Sequence, residues 1–194
     1  MAAEKIYDLW ASRNPQWEKR YEDSIIKNFC DYGRGATSLR EERGKVFGGG
    51  YEIFIVAFFI GLYFNQKRPL IGDTQKRKTF GQPIQYWGNL DSKKGRKAYP
   101  KLREYMFMTL VARTPEIDWI ALDKGQRTVG ETVNLLMITM EEYINYGLSV
   151  LAEKIKNDES YFYSKNSFLD IFKDLTKEKQ RISRDSEEEP ESLD

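Results

Sequence analysis

Tyr51-Glu52-Ile53-Phe54-Ile55-Val56-Ala57-Phe58-Phe59-Ile60-Gly61-Leu62-Tyr63-Phe64 is the stretch on which the fold turns. From Ile53 to Phe64 it carries no charge, and extending it back to Val46 takes in three glycines and Glu52. A bilayer span needs about 20 consecutive apolar residues, whereas runs of about 10–14 are more often buried core helices. The run therefore predicts a central helix shielded on all sides and no membrane span. Its Ile, Val and Phe content would also suit a buried strand, but its length favours the helix.

Outward from this run, helix signals dominate. On the N-terminal side, residues 34–50 read as a loop holding Arg34, Arg40, Arg43 and Lys45, closed by Gly48-Gly49-Gly50. Before it, a short helix is expected over residues 4–13, stopped by Asn14-Pro15. Asn14 then reads as the N-cap of a second helix with Pro15 in its first position. Trp17, Tyr21, Ile25, Phe29 and Tyr32 would share one face of that helix, and Gly33 would end it.

On the C-terminal side, residues 66–99 are the least regular part, punctuated by Pro69, Gly72, Gly81, Pro83, Gly88 and Gly95. So long a loop in a compact domain is usually functional or mobile, and a short hairpin would fit within it. Pro100 opens a helix with Leu102, Tyr105, Met106, Thr109 and Leu110 aligned, ended by Thr114-Pro115. A short apolar segment follows, with Ile117, Trp119, Ile120 and Leu122, closed by Gly125. The strongest element runs from about Gly130 to Lys156. Val133, Leu136, Met137, Met140, Ile144, Gly147, Leu148, Leu151 and Ile155 form its stripe. Ser167-Phe168-Leu169-Asp170 resembles a capping box with Asp in place of Glu, and would start a last helix through Leu175.

From Lys177 onward apolar residues become scarce, and Asp185 to Asp194 is rich in acids. Such a segment cannot offset its ordering entropy. The expected fold is mainly α: one helical domain over residues 1–176 around a buried central helix, with a long basic irregular loop and an acidic disordered tail over 177–194.

The chain has 194 residues, of which 40% are hydrophobic and 14% aromatic, enough to build a sizeable core. A single cysteine, Cys30, excludes an internal disulfide, and no basic region followed by an apolar one opens the chain. A cytoplasmic protein is expected. Histidine is absent, which removes Ser-His-Asp and Cys-His catalysis and histidine zinc sites. Any enzyme would have to use carboxylates, Lys or Tyr. Asp118, Asp123, Glu141 and Glu142 are the carboxylates that qualify, and they read as solvated helix-face and loop residues. No catalytic residue, metal site or cofactor is expected.

The formal net charge of +1 hides a segregation. Residues 34–103 carry 15 basic and 5 acidic side chains, net +10, while residues 104–194 carry 11 and 19, net −8. A basic middle third suits a polyanion or an acidic partner. Its clusters are Lys76-Arg77-Lys78 and Lys93-Lys94-Gly95-Arg96-Lys97, with Tyr86 and Trp87 between them. Lys and Arg neutralise phosphates, and aromatics can stack on exposed bases. The candidate nucleic-acid-binding residues are therefore Arg43, Lys45, Lys76, Arg77, Lys78, Tyr86, Trp87, Lys93, Lys94, Arg96 and Lys97. Two other readings stay open: a solvated loop with Tyr86 and Trp87 anchored in the core, and a dock for an acidic protein or the chain's own tail. Gly48, Gly49 and Gly50 could present backbone N–H groups to an anion at a helix start. A plain flexible hinge, or tight packing of the loop on a neighbouring helix, is the favoured reading of them.

Two stretches resemble the small DndE-type proteins of bacterial DNA phosphorothioation systems. One is Lys45-Val46-Phe47-Gly48-Gly49-Gly50-Tyr51, leading into the apolar run; the other is Tyr143-Ile144-Asn145-Tyr146-Gly147-Leu148-Ser149-Val150-Leu151. The likeness covers about a fifth of the chain, and the family's early Thr-Gly-x-Thr-Pro-Asn-type segment has no counterpart. It implies an accessory helical subunit that binds DNA and oligomerises within a modification or phage-defence complex. The alternatives are a protein-only scaffold subunit and a carboxylate-dependent hydrolase.

Overall fold

A computed structural model describes residues 2–30, 47, 50–88, 100–174 and 176–177. The chain is mainly helical. The elements are α1 (Ala2–Ala11), β1 (Gln16–Glu18), and a π-helical turn (Glu22–Ile26) that runs into a last α-turn (Lys27–Phe29), together α2. Then come α3 (Gly50–Phe64), β2 (Arg77–Thr79), α4 (Pro100–Arg113), α5 (Trp119–Asp123) and α6 (Val129–Asn157). A helix over 167–174, α7, is the last described element before 176–177.

The expected central helix is α3. Ile53, Phe54, Ala57, Phe58 and Ile60 are fully buried, but the helix is not shielded on all sides: Val56 and Phe59 are partly buried and Tyr63 is 48% exposed. It lies against α6, whose buried face carries Val133, Leu136, Met140, Ile144, Leu148 and Leu151. Two glycines let the backbones touch. A methyl group at Gly147 would sit 1.9 Å from the Ala57 carbonyl oxygen, and one at Gly61 would sit 2.3 Å from that of Tyr143. Neither position has room for any side chain. Among the described residues no helix is long and apolar enough to cross a membrane.

Helix α6 starts on a reciprocal cap. The Glu131 N–H donates to Thr128 Oγ1 at 3.2 Å, and Glu131 Oε2 accepts from the Thr128 N–H at 2.7 Å. Such a cap contributes about 1 kcal/mol. Around the α3–α6 pair, α1 buries Ile6, Trp10 and Ala11, and α4 buries Met106 and Leu110. Phe107 joins these two helices, its ring 5.2 Å from Tyr7 and 5.5 Å from Trp10.

Several expectations change. Asn14-Pro15 opens no helix. Gln16–Glu18 is instead an extended strand paired antiparallel with Arg77–Thr79, Trp17 opposite Lys78. Asn14 Nδ2 donates to the Phe80 carbonyl at 2.7 Å, so the expected cap secures the neighbouring segment. Helical geometry begins later, at Glu22. Among the described residues, the strand within 66–99 pairs with a distant segment and with no neighbour in its own region; 89–99 lie outside the described residues. In α4, Tyr105 faces out at 61% exposure, because Met106 and Leu110 take the buried face. Helix α7 forms, but Ser167 is inside it and buried, its Oγ donating to the Ser164 carbonyl at 2.8 Å. Of the expected tail, all but Lys177 lies outside the described residues.

Candidate functional site

The most connected polar group is Glu18, only 4% exposed at the end of β1. One carboxylate oxygen accepts the Ile71 N–H at 2.9 Å and Asn145 Nδ2 at 2.9 Å. The other meets Arg20 Nε at 2.6 Å. A buried carboxylate needs this many donors, because an unpaired one would be strongly destabilising. Asn145, 1% exposed on α6, also directs Nδ2 at the carbonyls of Arg68 and Pro69, 3.1 and 3.0 Å away. The Arg68 N–H in turn donates to the Glu142 carbonyl at 3.1 Å. Strand, helix and the segment 68–71 are thus bound through two buried side chains.

This network positions cations. Arg20 is held by Glu18, donates through Nη2 to the Tyr21 hydroxyl at 2.7 Å, and lies over the Tyr21 ring, 4.7 Å from its centre. Arg68 projects from a backbone fixed on both sides. Together with Lys156, near the end of α6, these two arginines line an open cleft of about 450 Å³, with Tyr21, Ser24, Ser149 and Glu153 on its walls. Arg68 and Lys156 are exposed, and neither makes a salt bridge among the described residues. Burial raises the pKa of Tyr21, so its hydroxyl stays protonated. That proton is available for donation, since the oxygen is the acceptor toward Arg20. Arg68, Lys156 and the Glu18-paired Arg20, with a neutral hydroxyl, outweigh the one carboxylate on the walls, Glu153, and suit an anion of phosphate size.

The pairing of β1 with β2 brings further cations nearby. The Lys19 N–H donates to the Lys76 carbonyl at 2.9 Å, which sets Lys19 beside the 76–78 cluster. Lys76 is exposed, 3.6 Å from Asp73, while Arg77 Nε donates to the Ile71 carbonyl. Lys78 meets Glu22 at 2.5 Å. Arg77 and Lys78 therefore also hold the ribbon in place. Tyr86 is 48% exposed. Trp87 corrects the expectation of a stacking platform. It is fully buried, 6.2 Å from Tyr51, and its Nε1 donates to the Gln82 carbonyl at 3.2 Å. Gly50 is buried at the first residue of α3. Arg43, Lys45, Gly48, Gly49, Lys93, Lys94, Arg96 and Lys97 lie outside the described residues.

Two of the four candidate carboxylates have structural partners. Asp118 accepts the Ala121 N–H at 2.8 Å as the cap of α5, and Glu141 accepts the Gln16 N–H at 2.7 Å. Among the described residues no group of three or more Asp, Glu or Cys is placed to hold a metal ion.

Glu18, Arg20, Arg68, Asn145 and Lys156 escape a reading of the sequence because they come from three separate stretches of the chain that meet only on folding. Only Asn145 falls in a motif, and there its neighbours Tyr143 and Gly147 serve the α3–α6 contact. No family model, curated protein or solved structure matches the chain.

Proposed function

We propose that the protein is a non-enzymatic, cytoplasmic accessory subunit that binds nucleic-acid phosphate, DNA first of all, through the cleft of Arg20, Arg68 and Lys156 and the ribbon lysines beside it. The resemblance of residues 45–51 and 143–151 to DndE-type proteins extends the proposal to a bacterial DNA-modification or phage-defence complex, with protein partners or further copies of the chain. The observation that carries the reading is the convergence of three cations, drawn from the turn after β1, the 68–71 segment and α6, on one cleft of about 450 Å³. Sequence-independent phosphate binding needs no more than clustered, accessible Lys and Arg.

The test is fluorescence anisotropy of labelled DNA against wild type and the double variant Arg68→Glu/Lys156→Glu, titrated over salt. Both side chains are exposed, so the fold should tolerate the change. The variant should bind weakly, with a salt slope shallower by about 1–2, since each lost phosphate contact removes about 0.7–0.9. Equal affinity and equal slope would overturn the reading.

A second reading, a protein-only interaction subunit, is favoured by one observation. Tyr105 and Met108 on α4, Trp119 and Ile120 on α5, and Ile138 on α6 are exposed by 42–68%. Exposed apolar groups that form one contiguous patch mark partner surfaces. An absence of DNA binding at about 50 mM salt, where phosphate contacts are strongest, would favour it.

A further inference from the structure

A second cleft, of about 380 Å³, is lined by Trp17, Glu22, Lys27, Lys78, Thr79 and Phe80. It and the cationic cleft share the 20–27 segment as a wall: Arg20, Tyr21 and Ser24 line one, Glu22 and Lys27 the other. Its chemistry differs from that of its neighbour. Phe80 supplies aromatic surface and Thr79 a hydroxyl, Glu22 and Lys78 form an ion pair on the same wall, and Trp17 lines the cleft while only 5% exposed. Lys78 Nζ also lies 5.9 Å from the centre of the Trp17 ring.

We propose that this cleft receives an unstacked nucleobase next to phosphates held by Arg20, Arg68 and Lys156, so that the ligand is single-stranded nucleic acid. The inference rests on the phosphate-binding reading above and narrows its ligand. Phosphate contacts alone do not distinguish a duplex from a single strand, because both present the same charged backbone. An aromatic wall does, because in a duplex every base face is already covered by stacking. Acceptor and donor groups beside that wall can meet the exocyclic amines and carbonyls of a base edge, which base pairing would otherwise occupy.

Phe80 is built to act without rearrangement. Its N–H donates to the Pro15 carbonyl at 2.8 Å and its carbonyl accepts from Asn14 Nδ2 at 2.7 Å, so its backbone is fixed from both sides. Its ring packs at steep angles against Phe54 and Trp87, with centres 5.0 and 5.5 Å apart. A side chain already held in place loses little freedom when a base settles on it.

The experiment compares a fluorescein-labelled oligothymidine with a duplex of equal length, at about 50 mM salt, where phosphate binding is strong. Wild type is measured beside Phe80→Leu, Gly81→Leu and Arg68→Glu/Lys156→Glu. Gly81 has no atom within 4 Å of where a side chain would start, so leucine there narrows the cleft while leaving the core untouched. Wild type should bind the single strand more tightly than the duplex. Each leucine variant should lose about tenfold on the single strand, in the range reported for one stacked base, and little on the duplex. If Gly81→Leu binds both ligands as wild type does, the base cleft is overturned. If in addition the double charge reversal abolishes binding, the phosphate reading survives that failure. If wild type binds neither ligand, both fall together.

Discussion

Replacing Glu141 with glutamine should stabilise the protein at alkaline pH and leave it unchanged in acid. Glu141 lies half-buried on α6, where burial pushes its carboxyl from the ordinary 4.5 up to about 7. The Gln16 N–H and Arg77 oppose that rise, and Glu142 adds to it. The folded state thus holds the proton more tightly than the unfolded chain does. The stabilisation this gives is full below about pH 4.5, declines as pH rises, and is gone above about pH 7. One pH unit corresponds to about 1.36 kcal/mol, so the interval amounts to about 3 kcal/mol, or about 2 once partial exposure is allowed for. Glutamine keeps an oxygen to accept the Gln16 N–H at 2.7 Å but never ionises. The advantage of Glu141→Gln over wild type should grow from near zero at about pH 4.5 to about 2–3 kcal/mol at about pH 8. Urea unfolding of both proteins across that range, followed by tryptophan fluorescence, measures it. An advantage constant in pH, or one confined to acid, would refute the reasoning.

Gly147→Ala should destabilise the fold by about 3 kcal/mol or more, because the added methyl group meets backbone and not a yielding side chain; a thermal melt near the wild-type temperature would contradict the packing described. Glu18→Ala should cost about 3 kcal/mol by leaving the Ile71 N–H without its acceptor and Arg20 without its partner. The same variant should speed amide exchange at Ile71, read by hydrogen exchange, and unchanged exchange there would exclude Glu18 as the clamp.

The helices that could be read from the sequence are those whose signals are local. The long apolar stripe expected from Gly130 to Lys156 is observed as Val129–Asn157, since a 3.6-residue period over many turns leaves few alternatives. The uncharged run likewise became the buried centre. The helix expected from Pro15 failed because Trp17, Tyr21, Ile25 and Phe29 keep helical spacing although Trp17 belongs to a three-residue strand. That strand's partner, Arg77–Thr79, is far along the chain, and nothing near Trp17 announces it. Thr128 and Glu131 have the spacing of a capping box, a legible sign of where α6 starts, whereas Ser167-Phe168-Leu169-Asp170 has a similar pattern and is not used as one. For the site, counting charges led to Lys76-Arg77-Lys78, where two of the three side chains hold the ribbon. The cleft cations Arg20 and Lys156 lie outside the basic third altogether, and they meet Arg68 only after the chain has folded. Trp87 shows the limit of composition: its neighbourhood is basic, yet its side chain belongs to the core.

The paired glycine notches of α3 and α6 also restrict how this molecule can move. Gly147 faces Ala57 and Gly61 faces Tyr143, so the notches lie one turn apart and run in opposite directions on the two helices. Sliding one helix past the other by a turn, about 5.4 Å, would bring a tyrosine where only a hydrogen atom fits. Ratcheting of the helix pair is therefore closed to this fold as a means of signalling ligand binding. Among the described residues, the ribbon and the 68–71 segment, held by exchangeable hydrogen bonds, are free to shift while the helix pair acts as the fixed frame.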